Sequence, residues 1–393
     1  MGSNLFYFNV LVLVFVVSCI NQVWSQGVFD VKAFGAAFLN AWKQACRSGG
    51  TVLVADGTYL VNTIQFSGPC KGGVTFTVNA VIVAPKGKST ANYWISFHGI
   101  TGLNIQGNGT FDGKGPSAWP YNNCHDASSC QPLSPTLVLT NVYQALVHNI
   151  RLVDSKGFQM KIEEGENVTI NNITIKAPAD SPNTDGIHTG NIKYVNILNS
   201  NIGTGDDCIS IGPGTTNITI TRVNCGPGHG ISIGSIGLRS TDQNVKGVKV
   251  QSCKMRSTQN GVRIKTYTSP YQVSVSDVTF QDIIMDKAQN PIIIDQKYCG
   301  GSKRCKALFS TLQGTSNVQV KDVKFIGVRG TSSSEIAVNL DCSSSKPCQG
   351  IELDNINLSL ASGGKATSSC SNARVSSSGT QNPPPCQNRM PLM

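Results

Sequence analysis

Three stretches decide the fold: TDGIHTG at 184–190, DDCISIG at 206–212 and GHGISIG at 228–234. Written one above another, they put Ile187, Ile209 and Ile231 in one column at a constant interval of 22 residues. Asp185, Asp207 and His229 share a second column, and His188, Ser210 and Ser232 a third. Side chains of a strand alternate between its two faces. An isoleucine column beside polar columns therefore means one buried face and one solvent face. A constant register between distant segments means that each lies on the next, as in a stacked repeat. NGVRIK at 260–265 continues the series after an insertion; Arg263 takes the column of His188, and Lys265 faces the same side two residues on.

Outward from this centre the pattern recurs. From about residue 74 the chain reads as short β-rich units, among them VTFTVNAVIVA (74–84), NVTINNITI (167–175), NITITRVNC (217–225), VSVSDVTFQDI (273–283) and IELDNINLSL (351–360). Asn, Gly and Asp stand at their corners, where turns need them. An all-β parallel stack is predicted; a β-sandwich would not demand the shared register. FLNAWKQAC (38–46) places Phe38, Trp42 and Cys46 on one helical face beside Ala41 and Ala45, which predicts a short helix capping the open end of the stack. The tail from Ala361 is rich in Ser, Gly and Pro and is expected to be irregular, held by Cys370 and Cys386.

Leu5 to Ile20 is nearly continuous apolar sequence followed by small residues, so residues 1–25 read as a secretory signal peptide and the folded domain as 26–393. Export suits the 14 cysteines. Pairs are expected at 124/130, 299/305, 342/348, 370/386, 208/225 and 46/70, with Cys253 in VQSCKM as the free thiol. No pair of CxxC spacings suggests zinc. Sequons at Asn108, Asn167, Asn172, Asn217 and Asn357 should be surface positions open to glycans. The net charge of +10 suits a polyanion in an exported protein, and an acidic polysaccharide fits better than nucleic acid or a membrane.

If the register holds, Asp185, Asp207 and His229 stand on successive rungs about 4.7–4.9 Å apart, with Asp206 beside Asp207. Three carboxyls this close cannot all ionise freely, so one proton is retained to unusually high pH. That is the requirement of acid/base glycoside cleavage. Taken singly, each residue has a plainer account: Asp as a turn former, His229 as a turn residue between glycines, Arg263 and Lys265 as a solvated face. A Ca²⁺ site is a rival use of the carboxylates.

The ordered run Asn183-Thr184-Asp185, Gly205-Asp206-Asp207, Gly228-His229-Gly230 and Arg263-Ile264-Lys265 resembles the four signature segments of the polygalacturonase family, glycoside hydrolase family 28. The likeness extends to GNGTFDGKG (107–115), DQKYC (295–299) and QNPPPC (381–386), and is similar to the pollen-type exopolygalacturonases of plants. The resemblance implies a right-handed parallel β-helix and inverting hydrolysis of polygalacturonate, exo-acting from the non-reducing end. It implies Asp206 as general acid, Asp185 and Asp207 as the pair that positions and deprotonates water, and His229 as the residue that tunes the ionisation of the acid or helps to hold the sugar. Asn183, Arg263, Lys265 and Tyr298 would bind the sugar. No metal or organic cofactor is implied, and a monomer in the cell wall is expected. Endo cleavage, a non-catalytic pectin-binding protein and a lyase on the same fold are the alternatives. One departure from the family stands out: relatives carry a polar loop after FDVKAFGA (29–36), whereas here Ala36-Ala37 runs straight into Phe38.

Overall fold

The computed structural model describes residues 27–35, 37–89, 91–122, 132–300, 310 and 315–386. The chain winds as a parallel β-helix with three sides, and every strand pairing is parallel. One coil shows the pattern. Ile209–Ile211 lies on the first side, Thr216–Thr221 on the second and Asn224–Cys225 on the third. Each then pairs with the strand one coil on: Ile231–Ile236, Val245–Gln251 and Lys254–Arg256. The predicted register holds, since Ile187 faces Ile209, Ile209 faces Ile231, and Ile231 faces Val262. All four are fully buried in one continuous apolar core.

The corners explain the Asn, Asp and Gly usage. Between the second and third sides, Asn149, Asn172, Asn199, Arg222, Ser252 and Asp282 follow one another at φ near +50° to +60°. Left-handed backbone is easiest for Gly and for Asn or Asp, whose short polar side chains bond locally. Asn172 Nδ2 donates to Asn149 Oδ1 at 2.7 Å, and Arg222 Nε to Asn199 Oδ1 at 2.6 Å, so the corners form a hydrogen-bonded column. All five sequon asparagines are exposed.

The N-terminal end is closed by the helix Phe38–Ser48, which buries Phe38, Ala41, Trp42 and Ala45. Trp42 packs on Phe66 and Phe97 and donates its indole N–H to Ser67 O at 3.0 Å. The Cys46–Cys70 disulfide ties the helix to the first coils. The N-cap position falls on Ala37, which offers no side-chain acceptor to the first turn. Ala37→Ser or Ala37→Asp should therefore raise stability by about 1 kcal/mol, read as a higher unfolding midpoint. No gain would mean that water or another group already satisfies those N–H groups.

The tail departs from expectation. Thr367–Ser371 pairs with Ile336–Asp341, and Ala373–Asn382 pairs with Cys348–Leu360, so residues beyond Ala361 add strands to the stack instead of leaving it. Ser and Thr read as loop formers by composition, yet the ladder needs only backbone groups and accepts them on its outer face. The disulfides 46/70, 208/225, 342/348 and 370/386 are present, and Cys253 is free and buried. The signal peptide and the 124/130 and 299/305 pairs fall wholly or partly outside the described residues. No described helix is long and apolar enough to cross a membrane.

Candidate active site

The turns that lead from the third side into the first carry Asn183 to Asp185, Gly205 to Asp207 and Gly228 to Gly230. The first side itself supplies Ser232, Arg263 and Lys265 from its outer face, with Ser232 directly opposite Arg263. The three turns and the face meet at one spot in the middle of the stack.

Asp207 is fully buried and completely engaged. Its Oδ1 accepts from Arg263 Nη2 at 2.7 Å and from Ser232 Oγ at 2.8 Å. Its Oδ2 accepts from Lys265 Nζ at 2.8 Å. Burial works to raise its pKa, but Lys265 and then Arg263 outweigh burial and bring it down to about 2. Both cations are only 7% exposed, so they are not a solvated strand face. Burial opposes their charge, and Asp207 overcomes it. Each still has donors beyond these bonds, because a guanidinium carries five N–H groups and an ammonium three.

Asp206 sits differently. Its side chain is 19% exposed, and its Oδ1 accepts from the Asp207 backbone N–H at 2.8 Å. His229 Nδ1 lies 2.9 Å from the same oxygen, and Asn183 Nδ2 lies 3.5 Å from Oδ2. The column of the sequence put His229 against Asp207; its side chain reaches Asp206 instead. The backbone accounts for this, since His229 N–H donates to Asp206 O at 2.8 Å and folds the turn back. A Cβ at Gly230 would stand 2.1 Å from Asn260 O, so the glycine after His229 is required by the next coil.

Asp185 is 6% exposed. Burial first, then the charges of Asp206 and Asp207, push its carboxyl well above the usual range. Crowding was expected to hold one carboxyl proton to unusually high pH, and Asp185 is the carboxyl of the three whose pKa is pushed up. The consequence for stability has a definite sign. Above pH about 4 the unfolded Asp185 is ionised while the folded one keeps its proton, so stability falls as pH rises until the folded group ionises. Asp207 acts oppositely, and its contribution is lost only as pH falls toward about 2. Denaturation of wild type and Asp185→Asn across this range should show a steeper decline with rising pH in the wild type, since Asp154 and Asp295, also raised by burial, remain in both. An identical decline in both would place the titrating group elsewhere.

Sequence reasoning passed over three neighbours. Ser232 bridges Arg263 Nε, at 2.9 Å, to Asp207. Ser210 bonds His188 Nδ1 at 2.8 Å. His188 stacks on Phe158 with centroids 4.9 Å apart, and burial, helped by Lys161 and Lys265, lowers it to about 3, so it is neutral. All three lay in the third column, and their polarity inside a tightly stacked run was the available signal. Tyr298 closes the far side, its ring centre 5.0 Å from Lys265 Nζ and 5.9 Å from the Arg263 guanidinium. On the other side a cleft of about 480 Å³ opens from Asn183 toward the N-terminal coils, past Phe158, Lys161, Glu163, Thr140 and His98.

Asp206, Asp207 and His229 bring ligand atoms within 4.8 Å of one another, which raises the question of a metal ion. The donor set does not fit one: both Asp207 oxygens already face Lys265 and Arg263, whose charges would repel a third cation. Acid and ionised carboxyls on adjacent coils, in an open groove with buried cations beneath, instead form the arrangement of a glycoside-cleaving protein. The profile of "Glycosyl hydrolases family 28" matches residues 46–379. An exopolygalacturonase of Platanus acerifolia is 42% identical, covering 91% of this chain and 97% of its own length. A polygalacturonase of Gossypium hirsutum is 38% identical, covering 97% and 95%. The fold is shared with an endo-xylogalacturonan hydrolase of Aspergillus tubingensis at 24% identity and a TM-score of 0.75, covering 90% of this chain and all of that one. The chain belongs to glycosyl hydrolases family 28.

Proposed function

We propose that this protein is a polygalacturonase that hydrolyses α-1,4-galacturonosidic bonds of pectic polygalacturonate with inversion, releasing monogalacturonate from non-reducing ends in the cell wall after secretion. Asp206 gives its proton to the leaving oxygen. Asp185 and Asp207 position the attacking water, Asp185 takes its proton, and Asp207 supplies fixed negative charge. His229 holds Asp206 in place. Asn183, Arg263, Lys265 and Tyr298 bind the sugars, the two cations through the donors that Asp207 leaves free.

The observation that carries this reading is the contrast between Asp206 and Asp207. Neighbouring carboxyls as close as these would in a two-carboxylate enzyme suit a covalent, retaining route. Here Asp207 has no exposed surface and both its oxygens are taken, so it is a poor nucleophile and water is left to attack. Asp206 is the most open of the three carboxyls and can reach a leaving group in the groove. Burial and the neighbouring charges raise the proton affinity of Asp185, which suits a group that has to take a proton from water. The exo mode draws its support from relatives named exopolygalacturonase.

The test is the product profile on de-esterified polygalacturonate, with and without a chelator, followed by proton NMR from the first turnover. Monogalacturonate alone, formed as the β anomer and indifferent to the chelator, is expected. A ladder of oligomers would mean endo cleavage, an initial α anomer would overturn inversion, and unsaturated products would mean a lyase.

A further inference from the structure

Behind the groove lies a second cavity of about 380 Å³, with three lysines and no carboxylate among its lining residues. The wall between the two is the extended segment from Leu133 to Thr136. Leu133 and Pro135 face the groove cleft, while Ser134 and Thr136 face the second cavity, as alternation along an extended chain requires.

Lys156 is 6% exposed, and its Nζ donates to Pro85 O at 2.8 Å. An ammonium has three donors, so two more are available. Burial pulls its pKa down, and no acidic neighbour offsets this. Thr136 is 1% exposed, and its Oγ1 is buried without a hydrogen-bond partner. A Cβ on Gly113, another lining residue, would stand 2.8 Å from that oxygen, so a larger residue there would crowd the hydroxyl. Lys86 and Lys88 add two exposed cations from a loop that is pinned by a bond from Gly87 N–H to Ser117 Oγ at 2.8 Å. Asp112, close by, is already paired with Lys114 at 2.6 Å.

A buried cation with spare donors and an orphaned hydroxyl are costly unless an anionic, hydrogen-bonding ligand completes them. The cavity lies in the size range of small-molecule sites and exceeds what an inorganic anion needs. Its other walls mix the apolar Trp94 with amide and hydroxyl side chains, as a polyol ring would require.

We propose that this cavity is a second, non-catalytic binding site for a sugar acid of one or two units, its carboxylate held by Lys156 and Lys86 and a hydroxyl by Thr136. The inference stands apart from the proposed activity, since its ligand class follows from the cavity's own chemistry.

Calorimetric titration of the full protein with galacturonate, galactose and inorganic phosphate tests it. Two sites for galacturonate are expected in the wild type. Lys156→Met and, independently, the surface change Lys86→Ala should weaken one of them by about tenfold or more while cleavage of short oligogalacturonates is unchanged. Binding of galacturonate, at one site or two, that neither variant weakens overturns the proposal. Equal binding of galactose would show that the lysines are unused, and tighter binding of phosphate would reduce the cavity to a general anion site; either result also overturns it. Galacturonate held in the cavity by a protein that cuts no pectate would support the inference and count against the proposed activity alone.

Discussion

Asp206→Asn should cut turnover by roughly a thousandfold while leaving the affinity for oligogalacturonates nearly unchanged. The amide oxygen can still accept from the Asp207 N–H and from His229, so the turn keeps its bonds. What disappears is the proton for the leaving oxygen. Single-turnover kinetics with a separate binding measurement distinguish the two effects. Turnover within a few fold of wild type would remove Asp206 from its role. Equal losses in binding and turnover would mean that the residue holds substrate and does not deliver a proton.

Asp207→Asn should act first on stability. The substitution leaves Arg263 and Lys265 buried without the carboxylate that both contact, and removing one partner from a buried ionic group typically costs about 3–5 kcal/mol. Chemical denaturation is the direct measurement. Replacing Asp207, Arg263 and Lys265 together by apolar residues of similar volume should recover most of that loss, because no charge is then stranded, yet the protein should remain inactive. A mild effect of Asp207→Asn would mean that water reaches the two cations and that their burial is only partial.

The fold was legible because the isoleucine ladder is strict. Ile187, Ile209 and Ile231 each fill the same place in successive coils, and the repeat of 22 residues brings the outer columns into line without further assumption. The site was legible as a place for the same reason. Its internal pairing was not. Column alignment says which residues are neighbours but not which way a turn folds. The column alone aligns His229 with Asp207, whereas the family resemblance ties it to the acid Asp206, which is the partner it has. Burial was equally hidden: Arg263 and Lys265 look alike on paper whether they face substrate or face Asp207, and only the depth of the groove decides. The tail misled through composition, since the Ser-rich run Ala373–Asn382 has little apolar content of its own and is ordered as a strand by the coil beneath it. The lysine cavity left no trace in the sequence, because Lys86, Lys156 and Thr136 come from three separate turns.

The position of the site along the stack has a further consequence. In a structure whose units touch only their neighbours, fraying starts at the two ends and moves inward. Both ends are clamped here, by Cys46–Cys70 and by Cys370–Cys386, while Cys208–Cys225 staples the coil that begins at the Asp206–Asp207 turn. Loss of either terminal clamp would first loosen coils that hold no catalytic group. Damage of that kind would shorten the working lifetime of the molecule long before it changed the rate of each turnover, so durability and catalytic power are set in different parts of the same chain.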